Sequence, residues 1–253
     1  YKSKNSGVMH ACGHDVHTSS MLGACKVLKE LHNDWKGTVK ILFQPGEEKL
    51  PGGATFMIKE GALKNPDAQL IFGQHVMPEL KCGTVGFKPG MFMASADEIY
   101  VSIKGKGGHA AMPHYTVDPI LTASHIITSL QSVISRNAPV NIPSVLSFGY
   151  IEGKGATNII PDEVHLKGTF RTFNEEWRYH AHDRIKDIIN STAKAFGAEA
   201  DIDLKVGYPF LMNDESLTLR SFERSKDYMG EENVIELDLR STAEDFAYYS
   251  HEI

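Results

Sequence analysis

The 253-residue chain lacks three features that would assign it to common protein classes. It has no apolar run approaching about 18 residues, so no segment is expected to cross a membrane. It has 26 Lys and Arg against 32 Asp and Glu, a net charge of -6 with no basic block, which argues against nucleic-acid binding. Its three cysteines form neither a CxxC pair nor an even set, which favours a reducing, cytoplasmic compartment and a metal-binding role for one of them.

The start of the sequence also lacks an initiator methionine and a basic-then-apolar leader. A section preceding Tyr1 could still carry a signal peptide, so the cytoplasmic assignment is an expectation. The content of 42% hydrophobic and 23% charged residues is ordinary for a globular protein of one large or two smaller domains.

A concentration of metal-binding side chains lies near the start of the chain. Cys12 and His14 are two residues apart, so a thiolate and an imidazole can converge on one site. Taken alone, this pair also fits a buried thiol beside surface histidines. Glu47 and Glu48 weaken that alternative, because adjacent carboxylates beyond a strand end repel each other unless a cation or a proton lies between them.

Two apolar runs are predicted to be strands that lead to these side chains. Thr38–Phe43 precedes the Glu47–Glu48 pair, and Leu70–His75 ends in an imidazole. The ends of strands are where open α/β sheets place their binding sites. A metal ion at this edge would neutralise one carboxylate and leave the other free to act as a base.

Six segments in order carry a resemblance to a known family: HACGHDVH, QPGEE, FGQHV, GKGGHAAMPH, ATNIIPDE and GTFRTF. Together they resemble the amidohydrolase branch, the hippuricases and N-acyl-amino-acid deacylases, of the dinuclear-metal aminoacylase and carboxypeptidase family. The resemblance implies four metal ligands, Cys12, His14, Glu48 and His75, and a general base, Glu47. The family has one further His ligand near its C-terminus, and His251 does not match it in context.

The cofactors implied by the resemblance are two divalent metal ions. A thiolate with imidazoles favours zinc, whereas carboxylate and imidazole ligands also admit manganese, cobalt or nickel. Zinc and manganese stay equally open.

Three residues in the second part of the chain are candidates for substrate contacts. The resemblance implies that His109, in a glycine-rich turn, stabilises the oxyanion by reaching across a dimer, and that Asn158 and Arg171 bind substrate. Arg171 could grip a carboxylate through its planar guanidinium. The alternatives are an ordinary tight turn at His109 and a solvated strand charge at Arg171.

The fold class predicted is α/β: a mostly parallel-sheet catalytic domain with an inserted ferredoxin-like (βαββαβ) domain, which the resemblance implies is a lid that also pairs two subunits. The catalytic domain is assigned to residues 1–95 and 209–253, incomplete at both ends relative to the family, and the lid to 96–208. The order strand, helix, strand, strand, helix, strand in the second range is the split βαβ pattern.

Finer expectations concern the first domain. A helix capped by Thr18 is predicted to follow the metal motif, and Glu244 and Asp245 are expected to cap and start a helix. Their position near the expected site leaves a minor role there open as the alternative for these two residues. His10 and His17 are candidates for supporting a metal ligand from behind.

The function predicted is metal-dependent hydrolysis of the amide bond of N-acetyl, N-benzoyl or similar N-acyl amino acids. The partners expected are this small-molecule substrate and a second copy of the chain, bound through the lid. Two alternatives stay open: a dipeptidase or carboxypeptidase with the same machinery, and a non-catalytic binding protein with a metal-stabilised fold.

Overall fold

The computed structural model describes residues 2–253. The helices are α1 (His14–Glu30), α2 (Gly53–Lys59), α3 (Pro119–Ser132), α4 (Glu175–Ala195), α5 (Glu215–Met229) and α6 (Ala247–Ser250). The strands are β1 (Val85–Phe87), β2 (Gly90–Met93), β3 (Asp97–Lys104), β4 (Gly108–His109), β5 (Ser144–Glu152), β6 (Ile159–Ile160), β7 (Glu163–Thr172), β8 (Glu199–Val206), β9 (Leu211–Asn213) and β10 (Val234–Glu236). No helix within this described range combines the length and apolarity needed to cross a membrane.

The main core lies between a four-stranded antiparallel sheet and two helices. The strand order is β5-β7-β3-β8, and α3 and α4 pack on one face. In β3, alternation places Ile99, Val101 and Ile103 in the core while the intervening residues face away. The order of elements and the order of strands together form a split βαβ arrangement.

Side-chain caps define where these two helices begin. The Asp118 side chain accepts hydrogen bonds from the backbone N–H groups of Ile120 and Leu121, and Pro119 occupies the first helical position of α3. Asn174 caps α4 by accepting from the N–H of Trp177 at 2.8 Å. These local signals explain why α3 begins at Pro119 and α4 begins at Glu175.

The part of the chain outside this sheet contains less regular structure than expected. Its parallel pairing is β1 with β10, and β2 pairs antiparallel with β9. The predictions of strands at Thr38–Phe43 and Leu70–His75 are wrong, since neither segment forms a strand ladder within residues 2–253. Phe43 and Phe72 are exposed, so an apolar run alone did not produce a buried strand here.

Helix α1 begins at His14, four residues before the predicted start. The Thr18 hydroxyl donates to the His14 carbonyl at 2.9 Å, a bond inside the helix rather than a cap. Gly13 precedes the helix at φ 88°, and a Cβ there would lie 2.4 Å from Val76 Cγ2. Glycine is therefore required between Cys12 and His14.

A buried ionic cluster lies where the chain enters and leaves the four-stranded sheet. Arg178 donates to both carboxylate oxygens of Asp97, at 2.9 and 2.5 Å, and to the Gly207 carbonyl at 3.0 Å. His182 Nε2 lies 2.7 Å from the same carboxylate. Burial alone would raise the pKa of Asp97, but hydrogen bonds from His182 and Arg178 outweigh it and lower that pKa.

Candidate metal centre

Five of the candidate site residues lie together, although the chain delivers them from three separate segments. Cys12 Sγ is 3.2 Å from His75 Nε2, and His14 Nε2 is 3.6 Å from Glu48 Oε1 and 3.9 Å from Glu47 Oε2. Two groups of potential ligand atoms, Cys12–His14–His75 and His14–Glu47–Glu48, each lie within 4.8 Å of one another. His14 belongs to both groups, so the two clusters adjoin.

The donor atoms fit divalent metal ions. Ligands bound to one ion at about 2.0–2.3 Å with tetrahedral geometry lie roughly 3.3–3.8 Å apart. The separations of 3.2 Å between Cys12 and His75 and 3.6 Å between His14 and Glu48 are close to that range. The set of thiol, imidazole and carboxylate is one that zinc and related transition metals accept.

The imidazole of His75 is oriented by the backbone beside it. Its Nδ1 donates to the Val76 carbonyl at 2.7 Å, which leaves the lone pair of Nε2 directed toward Cys12. The Val76 N–H in turn donates to His17 Nε2 at 3.0 Å, and the His17 and His75 ring centroids are 4.5 Å apart. Burial lowers the pKa of His17, and the neighbouring His75 and His14 lower it further, so its ring stays neutral and able to accept.

The site carries a concentration of negative charge. Burial, the charge of Glu48 and the charge of Asp245 raise the pKa of Glu47, whose side chain is 19% exposed, to about 7. Burial and the charge of Glu47 raise the pKa of Glu244 to about 7 as well. Burial and Glu48 raise the pKa of the Cys12 thiol. A bound cation would reverse these effects, because it favours every ionised ligand.

Asp245 does not act on its own helix as the sequence led us to expect. It is fully buried and accepts from Gln44 Nε2 at 2.7 and 2.9 Å and from the N–H of Ala54, in the first turn of α2, at 3.0 Å. Glu244 does make a local contact, accepting from the N–H of Phe246 at 3.3 Å. Sequence patterns could not identify the role of Asp245, because its partners lie about 200 positions away.

The loop carrying Glu47 and Glu48 is also held by two tyrosines from the second half of the chain. The Tyr249 hydroxyl donates to Gln44 Oε1 at 2.9 Å, and the Tyr208 hydroxyl donates to the Glu47 carbonyl. Neither tyrosine was a candidate from the sequence.

His109 and Asn158 lie next to each other, on hydrogen-bonded segments remote in sequence from the ligands. Strand β4, which ends at His109, pairs with β6, and the Ala110 N–H donates to the Asn158 carbonyl at 3.0 Å. The Ala111 N–H donates to His109 Nδ1 at 3.1 Å, so a neutral His109 carries its proton on Nε2. These contacts group His109 with Asn158 rather than with the ligand cluster.

Arg171 connects the four-stranded sheet to the segment that precedes Glu244. It lies on β7, and its Nη1 donates to the Ser241 carbonyl at 3.1 Å. One of the five guanidinium donors is thereby used on the backbone.

Comparison with known proteins supplies the family. The chain is 42% identical over 253 residues to the N-acetyl-L-cysteine deacetylase of Bacillus subtilis (strain 168), covering 100% of this chain and 60% of that protein. It is 41% identical over 257 residues to the IAA-amino acid hydrolase ILR1-like 4 of Arabidopsis thaliana, covering 100% and 58%. The chain thus spans about 60% of the length of these curated relatives.

A solved structure and a family model agree with these relatives. The Bacillus subtilis YXEP protein, a dinuclear metal binding peptidase from the M20 family, superimposes with a TM-score of 0.79 at 33% identity. The match covers 99% of this chain and 63% of that one, and supports an α/β fold. The model of peptidase family M20/M25/M40 matches residues 1–253, and the chain belongs to that family.

Proposed function

We propose that the protein hydrolyses the amide bond of N-acyl amino acids in a metal-dependent reaction, giving a carboxylic acid and a free amino acid. The observation that carries this proposal is the convergence of a thiol, two imidazoles and a carboxylate beside Glu47, a half-buried second carboxylate. The names of the relatives point the same way, since one acts on N-acetyl-L-cysteine and another on an IAA-amino acid.

Two divalent ions would be held by Cys12, His14, Glu48 and His75, with His14 at the boundary between the two ligand groups. Zinc and manganese are the leading candidates, and cobalt or nickel would also suit the donors. When bound, the ions supply Lewis acidity to the amide carbonyl and acidify the attacking water. Replacing Cys12 with Ala is expected to remove metal from the site, as measured by elemental analysis.

Glu47 acts as the general base and then as the general acid. It takes a proton from water as the water oxygen attacks the amide carbon, and it returns a proton to the amine nitrogen as the C–N bond breaks. Its position suits this exchange, because the half-buried carboxylate lies beside the candidate ligands, with its Oε2 3.9 Å from His14 Nε2. The neighbouring Glu48 would bind metal and take no part in this proton exchange.

His109, Asn158 and Arg171 would bind the substrate. Because His109 Nδ1 accepts from Ala111, its Nε2–H is the group available to donate to the developing oxyanion. Arg171 would grip the carboxylate of the amino acid with guanidinium donors other than the one used on Ser241. The grouping of His109 apart from the ligands is compatible with a homodimer in which one copy completes the site of the other.

Residues 96–208 would form an inserted lid and dimerisation domain, and residues 1–95 with 209–253 the catalytic domain. This division is supported by the separate core of the four-stranded sheet, and by the chain entering that sheet at Asp97 and leaving it at Gly207, which are hydrogen-bonded to each other. Arg178 of α4 contacts both residues. The buried cluster would therefore join the two ends of the lid to each other.

The test is a substrate panel on the full-length protein. Hippurate and N-acetyl amino acids are compared with dipeptides, each with chelator and with added zinc or manganese. We expect hydrolysis of the N-acyl substrates that chelator abolishes and metal restores. Preference for dipeptides would favour the peptidase alternative, and bound metal without hydrolysis of either class would favour a binding protein.

A further inference from the structure

We propose that Asp245 is a positioning residue for catalysis, acting through Gln44 to hold Glu47 in place. The inference rests on the proposed function, because it concerns the residue assigned there as the general base. Asp245 lies outside both groups of candidate ligands that contain His14, and its carboxylate forms a third, acidic group with those of Glu47 and Glu244.

The contacts of Asp245 secure both ends of the loop that carries Glu47. Gln44 precedes Glu47 by three positions and gives its amide N–H groups to Asp245, while Ala54, seven positions after Glu47, gives its backbone N–H. One buried carboxylate thus sets the separation between Gln44 and the start of α2. A buried carboxylate is costly without such partners, so these bonds fix its position as well.

The backbone of the loop is shaped to receive this carboxylate. Gly52 has φ 85°, and a Cβ there would lie 2.4 Å from Asp245 Oδ2. A Cβ at Gly53 would lie 1.6 Å from the Pro45 carbonyl oxygen, so the two ends of the loop are in direct backbone contact. Any other residue at Gly52 would push the loop away from Asp245, and any other residue at Gly53 would push the two ends of the loop apart.

Glu47 lies in the loop between Gln44 and Ala54, the two residues that Asp245 binds. Its backbone carbonyl accepts from Tyr208, and its carboxylate oxygen lies within 4.8 Å of those of Glu244 and Asp245. The hydrogen bonds from Gln44 and Ala54 already occupy Asp245, which makes it a support for Glu47 rather than a group that contacts substrate. A displacement of about 1 Å at a reacting group can cost about 10²-fold in rate.

The direction of the Gln44 amide suggests a specific double replacement. Its nitrogen faces Asp245 and its oxygen faces the Tyr249 hydroxyl. In Asp245→Asn, an amide N–H₂ would face another amide N–H₂. Adding Gln44→Glu exchanges donor and acceptor between positions 44 and 245. The carboxylate at position 44 would then accept from the Tyr249 hydroxyl and from the side-chain amide at position 245. The amide oxygen at position 245 would still accept from the Ala54 N–H.

The experiment uses metal-loaded, full-length protein and compares Asp245→Asn, Gln44→Glu and the double variant. Turnover of N-acetyl amino acid, KM, metal stoichiometry and the thermal unfolding midpoint are measured for each. We expect Asp245→Asn to lower kcat by about 10–100-fold, the range for residues that orient a site from behind, with metal stoichiometry kept and KM nearly unchanged. The double variant should recover at least about tenfold in kcat. Asp67→Asn, an exposed carboxylate paired with Lys64, serves as the control.

Two results would overturn the proposal. One is an unchanged kcat per folded, metal-loaded molecule in Asp245→Asn, which would leave Asp245 with a structural role only. The other is a double variant whose kcat is no higher than the value expected if the fold-losses of the two single variants simply multiplied. If Asp245→Asn does not fold, Tyr249→Phe decides, because it releases the other side of Gln44: a several-fold loss of kcat supports positioning, and no loss refutes it. Absence of hydrolysis by the wild type would instead refute the proposed function.

Discussion

Replacing Asp97 with Asn should destabilise the protein strongly, because it leaves a buried guanidinium without its main counter-charge. Asp97 is 0% and Arg178 1% exposed, so solvent does not screen the pair. Asp97 accepts hydrogen bonds from Arg178 Nε and Nη2 and from the Gly207 N–H, and His182 Nε2 lies 2.7 Å from it.

The expected magnitude follows from these contacts. Breaking a buried ion pair by removing one partner costs about 3–5 kcal/mol. Arg178 keeps its ion pair with Glu175 at 2.9 Å, so we expect the lower end, about 3 kcal/mol. With an m value of about 3 kcal/mol/M in urea, the unfolding midpoint should fall by about 1 M.

The assay is urea unfolding followed by tryptophan fluorescence, since Trp177 is buried one residue before Arg178. The matched control is Asp201→Asn, which removes an exposed carboxylate from the same sheet, where it pairs with Lys104. The control midpoint should stay near that of the wild type. If Asp97→Asn shifts the midpoint no more than the control does, the cluster does not stabilise the fold as argued.

Three further predictions concern the same cluster and the metal centre. The pKa of Asp97 is lowered in the folded state, so its contribution to the free energy of unfolding is complete above about pH 3.9 and is lost as pH falls through the lowered pKa. In Asp97→Asn, the free energy of unfolding should therefore fall less steeply with decreasing pH in the acid range than it does in the wild type. Gly13→Ala should cost about 1–2 kcal/mol in urea unfolding, since φ is 88° and Val76 blocks a Cβ, and an unshifted midpoint would contradict this. His17→Phe should weaken metal binding about 10–100-fold in a competition assay with a chromophoric chelator. His17→Gln, which keeps an acceptor for the Val76 N–H, should bind metal nearly as tightly as the wild type. Equal metal affinities of the two variants would refute the role of His17.

The four-stranded sheet and its helices were the most predictable part of the fold. The order strand, helix, strand, strand, helix, strand predicted for residues 96–208 is the order of the long elements observed there, from β3 through α3, β5, β7 and α4 to β8. These elements can be recognised from their own residues, because the strands alternate apolar and polar side chains and the helices begin at capping residues such as Asn174.

The strands predicted outside this sheet failed for a physical reason. An apolar run such as Leu70–His75 shows only that a segment suits a sheet, whereas a strand also requires neighbours that complete its hydrogen bonds. Within residues 2–253, that segment has no such ladder. The residue types of the segment could not predict whether it pairs, because the neighbouring strands come from other parts of the chain.

The grouping of the candidate ligands could be predicted from the sequence, but the residues that support them from behind could not. Cys12, His14 and the Glu47–Glu48 pair were candidates because their residue types are rare in combination, and the structure places them together. The role of Asp245 was missed because it depends on a hydrogen bond from Gln44, which lies 201 positions away in the sequence.

The most direct test of the central claim is the metal content and turnover of Glu47→Gln in the full-length protein. If Glu47 moves protons while other side chains hold the ions, the variant should bind as much metal as the wild type and lose about 10²–10⁴-fold in kcat for N-acyl amino acid hydrolysis. Wild-type turnover in this variant, or an equal loss of metal and activity, would contradict the assignment of Glu47 as the base.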